Sequence, residues 1–171
     1  MEIKDSGTRR EFNTGAVRDI QEGKGRCDLM PLDVVAALYQ ENKDINCIFT
    51  RFEQYKNTGD PVYLLILIEN YVRSINSTIS SELLEVSKHF EEGAKKYGEN
   101  NWQKGIPTNC YIDSAVRHYL KYLRGDKDEP HDRAFVWNII CCIWTCINKP
   151  ELNVYKKENT DDNSNFNTTD R

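Results

Sequence analysis

Apolar positions recur every three or four residues from Leu32 onward, and this period predicts a run of helices. "PLDVVAALYQEN" places Val34, Val35, Leu38 and Tyr39 on one stripe, with Pro31 near its start. Residues 45–56 carry a weaker amphipathic pattern, and "KNTGDP" reads as a turn. "VYLLILIENYVRSI" has the β-branched content of a strand, but its length and its helical neighbours favour a buried helix. The next predicted helix, 82–97, has Ser80 or Ser81 as N-cap and Gly98 as its stop. Its apolar side is Leu83, Leu84, Val86, Phe90 and Ala94, with His89, Glu91 and Glu92 read as solvated. A polar loop over 98–109 leads to a helix over 110–124, bearing Ile112, Ala115, Val116, Tyr119, Leu120 and Leu123 and stopped by Gly125. A last helix is predicted over 130–147.

Residues 1–31, rich in Gly, Arg and Asp, show no sustained period and read as an extended or looped arm. Beyond Pro150 too few apolar residues remain to build a core, so 150–171 is expected to be a disordered polar tail. The expected fold is therefore all-α: a helical bundle over 32–149 behind an irregular N-terminal arm. A chain of 171 residues suits one such domain.

Composition narrows the function. A net charge of −4 provides no broad positive field, which argues against a nucleic acid polymer or an acidic membrane as partner. The first residues lack an apolar run, and the most apolar stretch, "PVYLLILIENYV", is too short to span a bilayer. A cytoplasmic location follows as the expectation, with the six cysteines as reduced thiols. Cys141, Cys142 and Cys146 share a helix face but lack the paired spacing of a zinc knuckle, so they read as small buried hydrophobes.

The acids carry the chemistry. Glu82 and Glu85 stand three apart and share a face, as do Glu129 and Asp132 behind Asp128. Two such pairs on separate helices of a bundle suit a hard divalent cation, and they equally suit helix-dipole and solvated positions. Arg18, Lys24, Arg26, Lys96, Arg117 and His118 are the candidate phosphate counter-charges, with His131 and Asn138 also toward substrate. Adjacent His131 and Asp132 suggest an HD-type metal site, but three histidines in the chain make a structural or phosphate-facing role the stronger reading. Tyr97 and Trp102 are placed to stack on a base, and Asn101 lies in the same loop. The glycine-rich arm "GAVRDIQEGKGR" is not a P-loop.

Together, "SGTRREFNTGAVRDIQEGKGRCDLMP", "EGAKKYGENNWQKGIP", "DSAVRHYLKYLRGDKDEPH" and "AFVWNIICCI" resemble the phage dATP/dGTP diphosphohydrolase-type family, itself similar to the MazG-type all-α nucleoside triphosphate pyrophosphatases. The likeness covers about 1–31 and 80–147, leaving 32–79 as a variable helical insertion. It implies a Mg²⁺- (or Mn²⁺-) dependent hydrolysis of dATP or dGTP to monophosphate and pyrophosphate, in phage nucleotide-pool remodelling within the host cytoplasm. It also implies a homo-oligomer. Carried over by position, Glu82 and Glu85 form an ExxE pair and Glu129 and Asp132 an ExxD pair, with Asp128 as a further metal ligand and Glu82, Glu85 and Glu129 as catalytic acids. Two departures stand out: a whole helix separates the pairs, and Asp132 falls where relatives often carry an apolar residue. A protein that sequesters nucleotide without turnover is the alternative.

Overall fold

In the computed structural model, residues 7–157 are described. Six helices follow a small hairpin: α1 Leu32–Leu38, α2 Lys43–Thr58, α3 Val62–Ser74, α4 Ile79–Tyr97, α5 Thr108–Arg124 and α6 His131–Asn148. The architecture is all-α, and among the described residues no helix is long and apolar enough to cross a membrane.

The central pair is α5 and α6; α4 and α3 pack on α6, and α2 packs on α1 and α3. Phe135 of α6 is the aromatic hub. It stacks on Tyr119 of α5 at 4.9 Å and meets Tyr71 of α3 edge-on at 5.1 Å and Phe52 of α2 at 6.2 Å. α2, whose sequence pattern is weak, buries Ile48, Phe49, Phe52 and Tyr55 completely. Its Asn42 cap accepts the Ile45 N–H at 3.2 Å. The six cysteines are free thiols, and Cys141 and Cys142 are wholly buried.

Two helices bury only part of the apolar face their sequences suggest. Of the expected α1 stripe, Val35 and Tyr39 pack against the core, Tyr39 stacking on Phe49 of α2, while Val34 and Leu38 are exposed and Leu32 and Ala36 are buried instead. α4 begins at Thr78, whose hydroxyl accepts the Ser81 N–H, rather than at Ser80 or Ser81. It buries Val86 and His89 and exposes Leu83 and Leu84. The inward stripe of α4 thus includes a histidine.

The arm is more ordered than its sequence suggests. Strands β1 Arg9–Glu11 and β2 Val17–Asp19 pair antiparallel, with Arg10 opposite Arg18. Asn101 clamps the hairpin like one more strand residue: its Oδ1 accepts the Val17 N–H at 2.8 Å and its Nδ2 donates to the Val17 carbonyl at 2.7 Å. Asp113 of α5, only 2% exposed, accepts from the Cys27 N–H at 2.6 Å, from Gln21 at 2.9 Å and from Arg117. These bonds lash the arm along α5.

At the other end of the chain, residues 150–157 pack on the bundle instead of starting a tail. Buried Asn153 donates to the Gly59 carbonyl at 2.7 Å and accepts from the Tyr55 hydroxyl at 3.0 Å. Gly59 is left-handed (φ +70°), and a Cβ there would lie 2.5 Å from the Lys156 backbone, so only glycine lets the two segments pass. The remainder of the expected tail, 158–171, lies outside the described residues.

Candidate functional site

The arm does not lie flat on the bundle. Between the hairpin, α4, the 98–105 loop, α5 and α6 it roofs a cavity of about 850 Å³, the size range of a nucleotide-class ligand. Its walls divide by chemistry. Phe12, Phe90, Trp102 and Trp137 make one end aromatic, while Lys24, Arg117, Lys121, His118 and Glu129 make the other charged.

The charged end is built from the facing ends of α5 and α6. His118 comes from α5 and His131 opens α6, and their Nδ1 atoms stand 3.0 Å apart. A Glu129 carboxylate oxygen lies 3.6 Å from the first and 3.5 Å from the second. His131 is buried, and its Nε2 lies 2.7 Å from Asp128 Oδ1. The His131 hydrogen bond holds the Asp128 carboxyl well below its ordinary range, so Asp128 is ionised and only accepts. His131 Nε2 is thus placed to donate to Asp128, and its Nδ1 faces His118 and Glu129. Burial, aided by His131 itself, pushes His118 well below the usual imidazole range and keeps it neutral. The result is two imidazoles and a carboxylate converging on one point, with a second carboxylate orienting one ring. Such a donor set could hold a divalent metal ion, and such an outer carboxylate commonly orients a histidine ligand.

The two predicted acidic pairs are parted. Glu129 is in the cavity wall, and Asp128 stands behind it as the partner of His131 and Lys121. Glu82 accepts from Ser77 at 2.7 Å at the start of α4, and Glu85 is exposed beside Lys88. Asp132 is exposed and accepts the Arg133 N–H at 2.8 Å. None of these three lines the cavity or joins a metal-competent cluster among the described residues.

Of the predicted substrate residues, Arg18, Lys24, Tyr97, Asn101, Trp102, Arg117, His118 and Asn138 do line it. Several also hold the arm. Arg117 donates to the carbonyls of Lys24 at 3.0 Å and Gly25 at 3.2 Å. Arg26 pairs with Asp28 at 2.5 Å outside the cavity, and Lys96 approaches Asp19 at 3.9 Å.

Four wall residues carry no clear sequence signal: His89, Asp113, Ser114 and Trp137. His89, expected in solvent, is 7% exposed, with its ring 5.2 Å from that of Trp137. Burial, then Arg133, Arg18 and Lys96, push its imidazole down to about 3. Glu92 is likewise half-buried, accepting from Arg133 at 2.7 Å, whereas Glu91 is exposed beside Lys95 as expected. The one signal in sequence is position: 86, 89, 90 and 93 form an i,i+3,i+4,i+7 stripe.

No curated protein and no solved structure gives a match to the chain. A family model does, described as dATP/dGTP diphosphohydrolase, N-terminal, over residues 56–155. That span starts within α2 and contains α3 to α6, so it holds the histidine–glutamate cluster and most of the cavity wall while the hairpin precedes it. It also takes in residues 56–79, expected above to belong to a variable insertion. With more than half of its 171 residues matched, the chain belongs to the dATP/dGTP diphosphohydrolase family of hydrolases.

Proposed function

We propose that the chain is a divalent-metal-dependent diphosphohydrolase of dATP or dGTP, serving to remodel the nucleotide pool of a phage-infected cell. The observation that carries this is the His118–Glu129–His131 cluster at the charged end of a nucleotide-sized cavity. In the reaction, water attacks the α-phosphorus, the bond from that phosphorus to the α,β-bridging oxygen breaks, and pyrophosphate leaves with the electron pair.

The residues present fit a metal ion. His118 and His131 through Nδ1, and Glu129 through a carboxylate oxygen, would hold it, and Asp128 would keep the His131 tautomer correct. Two imidazoles in the set suit Mn²⁺ better than Mg²⁺, which favours an all-oxygen shell. When bound, such an ion ionises water near neutral pH and offsets charge on the phosphates. Lys24 and Lys121 line the same end and counter the polyphosphate charge. Arg117, tied to the arm carbonyls, keeps the roof closed over that end and excludes bulk water. Trp102 and Phe90, edge-to-face at 5.5 Å, wall the base.

The test is product analysis. Purified protein is incubated with each dNTP and with Mn²⁺ or Mg²⁺, and nucleotides are separated. Monophosphate with pyrophosphate, formed faster with Mn²⁺, is the expected result. Tight stoichiometric binding with no pyrophosphate in any metal overturns hydrolysis in favour of sequestration.

A further inference from the structure

The aromatic end of the cavity holds an unusual set of unmet hydrogen-bonding groups. His89 Nδ1, Trp137 Nε1 and Arg18 Nη1 are each buried without a partner, and all three residues line the cavity. They come from three elements, α4, α6 and β2, and they are neighbours: the His89 and Trp137 rings stand 5.2 Å apart, and Trp137 and Arg18 both contact Tyr111. Arg18 is also held rigid. Its Nη2 donates to Asn138 Oδ1 at 2.7 Å and Ser114 Oγ at 3.1 Å, and its guanidinium lies 5.0 Å over the Tyr111 ring. One nitrogen of a fixed fork is left over. Buried polar groups are normally satisfied, so three orphans on one wall point to a ligand that completes them.

We propose that Arg18, His89 and Trp137 form a nucleobase-edge subsite that reads the O6 and N7 acceptors of guanine. The inference rests on the hydrolase reading above and goes beyond it in naming the base and the residues that choose it. An indole N–H and a guanidinium N–H can only donate, and a neutral His89 protonated on Nδ1 donates too. Three donors match the two lone pairs of O6 and the one of N7. Arginine against this edge is the commonest guanine contact in nucleic-acid recognition. Adenine presents an amino donor where O6 would be, which sets donor against donor. Cytosine does the same, and thymine offers one carbonyl beside a methyl group.

The location agrees. Ser114 precedes His118 by one helical turn on α5, and Asn138 follows His131 by two turns on α6, so Arg18 lies about 6–10 Å along the bundle from the imidazole pair. A deoxyribose fills that span between phosphate and base. The rings of Phe90, Trp102 and Trp137 beside these donors suit a planar base.

The test uses base analogues on the unaltered protein, with binding of the monophosphates by titration calorimetry and turnover of the triphosphates measured in parallel. The expected order places dGMP and dIMP, which keep both O6 and N7, about tenfold or more tighter than dAMP and 7-deaza-dGMP. Trp137→Phe, which keeps an aromatic ring and removes the N–H, is expected to narrow the guanine-to-adenine binding ratio about fivefold or more. Equal binding and turnover of all four bases overturns the subsite and leaves the hydrolase reading standing. Adenine preference overturns it equally. Absence of both binding and turnover overturns the two together.

Discussion

Two acidic regions with nearly the same sequence pattern fare differently in the fold. At the start of α4, Glu82 and Glu85 stand three apart on an exposed surface, one answered by Ser77 and the other by Lys88. At the start of α6, Glu129 meets the half-buried His118 and the buried His131, and Asp128 orients the latter. Spacing along a helix tells which acids share a face, but not what that face meets. An exposed carboxylate–lysine pair is worth little and binds metal weakly, because water and the lysine compete for it. Glu129 also has a lysine near it, Lys121 at 3.8 Å, but its carboxylate is largely buried and faces two imidazole nitrogens as well.

Substitution tests that contrast most directly. With Glu129 as the proposed metal ligand, Glu129→Gln should lower kcat/KM by about a thousandfold, equal to about 4 kcal/mol of transition-state stabilisation. Normal melting of the variant would tie the loss to chemistry. Turnover within a few-fold of the parent would dissolve the distinction between the two regions.

A second contrast concerns burial itself. Asp113, buried on α5, accepts bonds from the arm at Cys27 and Gln21 and from Arg117. Asp113→Ala is expected to destabilise the fold by about 3 kcal/mol, because it strands Arg117 and two arm donors at once. Urea unfolding measures this, and a loss below about 1 kcal/mol would mean that the arm is held by other contacts.

His89 sharpens the picture of α4, whose working face is the buried one. In the folded protein its imidazole is pushed to about 3 from 6.5, so below pH 6.5 the unfolded chain takes up a proton that the folded chain refuses. Stability therefore falls as pH drops through that window, and His118, also held neutral by burial, adds with the same sign. Between pH 6.5 and pH 5, His89→Phe should lose about 2 kcal/mol less than the parent, read from urea midpoints at the two pH values. Equal losses would mean that His89 is reached by solvent.

Much of this molecule is legible in its sequence because local signals agree with the packing. Gly98 and Gly125 end α4 and α5 where expected, and the apolar run before Ser74 is the buried helix its length suggests. What escaped depends on partners distant in sequence. The hairpin forms because Asn101, 84 residues on, supplies the bonds that three-residue strands lack. Val34, Leu38, Leu83 and Leu84 look like core by type, yet nothing packs over them in the described chain. His118 and His131 look like isolated polar residues until an antiparallel helix pair brings their rings face to face.

The smallest expected effect separates the two acidic regions just as firmly. Glu85 is held below the ordinary carboxylate range by its hydrogen bond from Lys88, and both side chains are more than half exposed. Water therefore replaces either partner without leaving a buried charge. Glu85→Gln should change kcat/KM by less than about twofold and leave the melting temperature nearly unaltered. If turnover instead fell as far as in Glu129→Gln, α4 would have to supply a ligand from its exposed face, and the chain would need a rearrangement or a second copy to bring Glu85 to the cavity. A near-silent Glu85→Gln beside an inactive Glu129→Gln would place the metal chemistry at the α5–α6 end and leave the i,i+3 acids of α4 as surface.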